Sequence, residues 1–173
     1  MDEKRIEIAE KNFRNYLNEG KIKKIDRFNE LVYNAYLRNA RESLNVANQL
    51  FQNKTSSLWV VVTSYYSMFY IACTYFYKLG YKVGDEIVHQ VVNESLIVQG
   101  RHKIKNHLLE NYSEEKNKAL VIVDNYLDNY EREKGKRASF QYQTTEEVKE
   151  DKAKTSLIRA REFLTLMEEI LKR

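Results

Sequence analysis

The chain of 173 residues and 20.7 kDa has the size of one domain around one hydrophobic core. Its 43% apolar and 31% charged residues exclude both compositional disorder and a uniformly membrane-embedded chain. A net charge of +4 permits contact with nucleic acid without demanding it. The chain has no proline and only five glycines, too few turn residues for a sandwich or barrel.

The expected fold is therefore all-α: a single antiparallel bundle of about five to six helices spanning 1–173, with 1–25 as an N-terminal helical extension. The glycines at 20, 80, 84, 100 and 135 punctuate the pattern. Between them the spacing predicts helices over 3–18, 26–53, 56–79, 85–98, 114–132 and 145–172, and no strand pattern competes.

The opening MDEKRIEIAEKN is charged throughout and reads as a helix start, not as a secretory leader. In the second segment Leu37, Ala40, Leu44, Ala47 and Phe51 form one apolar stripe, and Asp26 is placed to open the helix. The third differs, since Thr55 to Tyr77 carries no charge and has the length of a membrane span. Its serines, threonines and five tyrosines, with no aromatic belt confined to its ends, favour a central bundle helix buried on most sides. Its hydroxyls would bond to backbone one turn back or to other helices.

Ser113 with Glu114 and Glu115 is the expected start of the fifth helix, whose stripe is Leu120, Val123, Leu127 and Tyr130. Thr144 with Glu147 has capping-box spacing before the sixth, whose stripe is Leu157, Ala160, Leu164, Met167 and Leu171.

A lone cysteine, Cys73, excludes an intramolecular disulfide and a thiolate zinc site, and suits a reducing cytoplasm. Three histidines without helix-face spacing make a histidine metal site improbable, and the glycines form no phosphate loop. No cofactor is implied.

Two basic clusters remain: Arg101, Lys103 and Lys105 beside His102 and His107, and Arg132, Lys134, Lys136 and Arg137. They are either solvated turns or, if folded onto one side, a positive surface for phosphates, with Tyr130, Phe140 and Tyr142 as stacking faces. His89 reads as a helix-end or core hydrogen-bonding residue.

The run TSSLWVVVTSYYSMFYIACTYFYKLGYKVGDEIVHQVV, with Tyr65, Tyr66, Ser67, Met68 and Phe69 in one uncharged helix and Gly80, Gly84 and His89 after it, resembles the YYAMF-like branch of the HEPN family. The stretch EREKGKRASFQYQTTEEVKEDKAKTSLIRAREFLTLMEEIL is similar to that family's closing segment. The likeness covers about Asn34 onward.

The resemblance implies a helical bundle, commonly a homodimer, associated with RNA or nucleotide and often paired with a minimal nucleotidyltransferase in toxin–antitoxin or defence systems. Ribonuclease members carry an arginine followed shortly by a histidine. Such a pair suits metal-independent cleavage of RNA by its own 2′-hydroxyl, which needs a base titrating near neutrality and a cation for the phosphate.

Here Arg137 stands in the arginine position and Tyr142 in that of the histidine, and a phenol titrates too high to be a ready base. A literal match to the spacing is Arg101 with His107, in RHKIKNH. The readings are an accessory or catalytically weakened RNA- or nucleotide-associated protein, an active endoribonuclease toxin using Arg101 and His107 or Arg137 and Tyr142, or a non-enzymatic module for a nucleotidyltransferase partner.

Overall fold

The computed structural model describes residues 1–135 and 148–173, with side chains described for 1–125 and 148–173. It is a helical bundle with one small sheet, in the order α1 (Glu3–Asn18), β1 (Ile22–Lys24), α2 (Glu30–Gln52), α3 (Ser57–Lys78), β2 (Tyr81–Val83), α4 (Val88–Gly100), α5 (Asn106–Gly135) and α6 (Glu150–Lys172).

Local chemistry sets the helix starts. The Asp2 carboxylate accepts from the Arg5 N–H at 2.7 Å to open α1. Asn29 Oδ1 accepts from Leu31 N–H at 2.9 Å to open α2, which therefore begins after Asn29 and is not capped by Asp26. Ser56 Oγ accepts from Trp59 N–H at 3.3 Å before α3.

The expected start of α5 at Ser113 is wrong by two turns. Leu108, Leu109 and Tyr112 are buried ahead of it, and Ser113 Oγ donates to the Leu109 carbonyl and to Asn93 Oδ1 as a mid-helix residue. Glu115, taken as a capping acid, is fully buried instead. Gly100 ends α4 and does not break a pattern: a Cβ there would meet Ile104 Cδ1 at 2.7 Å. The Thr144–Glu147 capping box lies outside the described residues.

The two strands also correct the sequence reading. β1 and β2 pair antiparallel, with Ile22 opposite Val83 and Lys24 opposite Tyr81. Three residues each are too few to display an alternation, so the pairing is set by context. Gly20 (φ +71°) and Gly80 (φ +86°) supply the left-handed turns that deliver the strands to each other. Ile22 then packs with Phe13 of α1 and Val91 of α4, which ties α1 to the bundle.

The uncharged helix α3 is the axis of the fold, with fifteen of its residues buried. Tyr65, Met68, Ile71, Ala72 and Phe76 meet Ala40 of α2, Leu96 of α4, Tyr112 of α5, and Ala160, Phe163 and Met167 of α6 in one core. Thr63 and Thr74 donate to the carbonyls of Trp59 and Tyr70 one turn back, as expected, whereas Ser64 and Ser67 are buried with no hydrogen-bond partner among the described residues. All five stripe residues of α6 are buried. No helix among the described residues is long and apolar enough to cross a membrane.

Candidate functional site

The basic turn after α4 is built on Gly100, whose carbonyl accepts from both Lys103 and Ile104 N–H at 2.8 Å. Ile104 is thereby buried, and His102, Lys103 and Lys105 project outward. The Lys103 ammonium lies 5.8 Å from the centroid of the Tyr75 ring, whose hydroxyl donates to the Gln99 carbonyl at 3.0 Å. Lys105 lines an open groove of about 320 Å³ with Leu108, Arg161, Glu162 and Leu166.

The two members of the literal Arg–His match have separate partners. Arg101 donates to Glu10 of α1 at 2.6 Å and to His102 Nε2 at 3.2 Å. His107, at the first turn of α5, lies 3.4 Å from Glu162 of α6 and is half exposed. No hydrogen bond joins Arg101 to His107 among the described residues. Arg132 and Lys134 lie on the last turns of α5, with side chains outside the described set. Lys136, Arg137, Phe140 and Tyr142 lie outside the described residues altogether.

A second cluster is formed by helices that the sequence separates. His89, at the start of α4, has its Nδ1 2.8 Å from the hydroxyl of fully buried Tyr65 on α3. Its ring centroid is 4.6 Å from that of Phe69, with Tyr65 and Tyr66 at 5.5 and 5.8 Å.

Burial raises the pKa of the Tyr65 phenol far above its ordinary value, so it keeps its proton and is able to donate it to Nδ1. The Tyr112 hydroxyl is buried without a hydrogen-bond partner among the described residues, yet near enough to Tyr65 for each phenol to influence the other's ionisation. Burial first, and the charge of Lys116 second, push the His89 pKa down, so the imidazole is neutral near pH 7. His89 is thus the hydrogen-bonding residue that its position at the head of a helix suggested, with a partner no sequence spacing disclosed.

Buried charges next to this cluster were also missed. Glu94 on α4 receives a bidentate Arg5 at 2.7 Å per hydrogen bond, together with Gln90 at 2.8 Å and Asn93 at 3.3 Å. Glu115 on α5 accepts from Ser156, Arg159 and Lys118. Glu94 had a legible signal, a lone acid inside the apolar run VVNESLIV; Glu115 was read as a capping acid, and Lys116 sits among other charges with nothing local to mark it as buried. Cys73 is buried, with its thiol pushed up to about 12, and is inert at neutral pH.

No protein-family model, no curated protein and no solved structure matches this chain.

Proposed function

We propose that the chain is a HEPN-like, RNA- or nucleotide-associated protein that binds its ligand as an accessory, catalytically weakened member of a toxin–antitoxin or defence-type pair. One observation supports binding over cleavage: the free and the engaged cations of the basic turn are different residues. Lys103 and Lys105 face solvent and pair with no carboxylate among the described residues, so an incoming phosphate displaces water and counterions and not a bound acid. Arg101 and His107 are each held by a carboxylate, Glu10 and Glu162, that competes with a phosphate for the same donors. Tyr65, Ser67, Met68 and Phe69, which carry the resemblance in the sequence, are buried in the central helix, and Tyr66 is partly so.

The reading is tested by fluorescence anisotropy with a short labelled RNA across a salt series. Affinity is expected to fall steeply as salt rises. Replacing both Lys103 and Lys105 by Ala should weaken binding and reduce the slope of log K against log salt by roughly 1 to 2, about one for each phosphate that a lysine no longer neutralises. The same RNA incubated with the protein in EDTA should remain intact. Absence of binding at low salt would overturn the proposal; cleavage abolished by His107→Ala would replace it with the endoribonuclease reading.

A further inference from the structure

Helix α1 packs chiefly against α4 and holds it at three points of different character. Arg5 donates to both oxygens of the buried Glu94 carboxylate at 2.7 Å. Phe13 packs with Val91 of α4 and Ile22 of β1. Glu10 accepts from the Arg101 guanidinium at 2.6 Å, and here about a third of each side chain is exposed, 34% and 27%. Of the sixteen residues of α1 only Ala9 and Phe13 are buried, so the helix is attached by these contacts and not by a broad apolar face. It precedes the stretch, from about Asn34, that carries the family resemblance, and its contacts with α4 are no part of that pattern.

The two ion pairs differ in how readily they exchange. A buried, bidentate pair cannot lose one partner without stranding the other charge, so Arg5 and Glu94 fix the helix in place. A partly exposed pair is weak, and a phosphate, with more charged oxygens to offer than one carboxylate, competes for the same guanidinium. Arg101 is thus the cation of the basic turn that an element from outside the turn withholds, while Lys103 and Lys105 beside it have no acid partner among the described residues.

We propose that α1 is an autoinhibitory strap: fixed to α4 by Arg5 and Glu94, it presents Glu10 to Arg101 and keeps that guanidinium from the RNA until α1 loosens. The coupling is reciprocal. A ligand that draws Arg101 away from Glu10 removes one attachment of α1, and any change that loosens α1 makes Arg101 available. The strap rests on the RNA-binding reading, as regulation of that same surface, and adds no phosphate contact to those of the basic turn except Arg101.

The test compares the parent chain, Glu10→Gln and Arg5→Ala by fluorescence anisotropy with the short labelled RNA, and follows α1 by hydrogen exchange. Glu10→Gln should bind roughly tenfold more tightly at low salt, the effect of one charge-assisted hydrogen bond. Its slope of log K against log salt should steepen by about 0.7, the value for one more neutralised phosphate of a single strand. Arg5→Ala is the discriminating variant. It removes a cation, so charge alone predicts weaker binding, whereas a loosened strap predicts tighter binding. In the parent chain RNA should lower the protection of α1 amides.

Tighter binding by Glu10→Gln with weaker binding by Arg5→Ala is a plain effect of charge and refutes the strap, as does α1 protection that RNA leaves unchanged. If the parent binds and neither variant binds more tightly, the strap falls and the RNA-binding reading stands. If the parent does not bind but Arg5→Ala does, the strap stands and that reading of the resting chain falls; binding by none of the three removes both. Should Arg5→Ala fail to fold, Arg101→Gln decides: placed in the Glu10→Gln background it must erase the gain, and a gain that survives it refutes the strap.

Discussion

His89 carries the sharpest residue-scale consequence, because its folded pKa is depressed by burial and then by Lys116. In the unfolded chain a histidine titrates at about 6.5, so as pH falls below that value the unfolded state takes up the proton first. Its contribution to stability is complete above pH of about 6.5 and is lost as pH falls toward the folded pKa. Denaturant midpoints measured across that window should fall with acidification, and His89→Gln should flatten the slope; an unchanged slope would remove His89 as its source. Glu115 illustrates a different residue-scale effect. Its carboxylate is fully buried but receives Ser156, Lys118 and Arg159, so its charge is matched, whereas the buried Lys116 ammonium donates to the neutral Gln90 carbonyl.

Among the elements, α3 explains why an uncharged, tyrosine-rich stretch belongs inside a bundle. Its apolar surface is spread around the whole helix, and α2, α4, α5 and α6 each cover part of it. Helices α3, α5 and α6 converge on Tyr65, Tyr112 and Phe163, with ring centroids 6.0 Å apart for the first pair and 5.5 Å for Tyr112 with Phe163. Phe163→Ala should destabilise the chain by about 3–5 kcal/mol in urea unfolding, the usual result of emptying a large buried aromatic site. A loss below about 1 kcal/mol would mean that the neighbours collapse into the space or that α6 does not pack as described. The helices that sequence placed best are α1, matched at both ends, and α3, the unbroken uncharged run, whereas α6 ends where expected but begins at Glu150 and not at 145. The start of α5 was misplaced because Ser113 and its two acids reproduce a capping composition, whereas the burial of Tyr112 and Glu115 depends on α3 and α6 lying alongside.

At the scale of the whole molecule, α1 and β1 are attached by a few specific ties: the Arg5–Glu94 pair, the Glu10–Arg101 pair, Phe13 with Ile22 and Val91, and the short ladder to β2. Arg5→Ala removes the guanidinium bonded to both oxygens of the buried Glu94 carboxylate and leaves it two amide donors, a change that should cost about 3 kcal/mol. Hydrogen exchange should show the loss first in α1 and β1, while amides of α3 stay protected; uniform exchange throughout would mean that α1 is no separate unit. The sequence by itself determined the helical class, the central place of the uncharged helix and the inward face of α6, since these follow from periodicity and charge within single segments. Tertiary structure decided the strand pairing, the partners of Arg101 and His107, the Tyr65–His89 bond and the burial of Lys116. Each of these depends on groups dozens of residues apart being brought together, and no local pattern encodes whether a lysine on a helix will meet water, a carboxylate or neither.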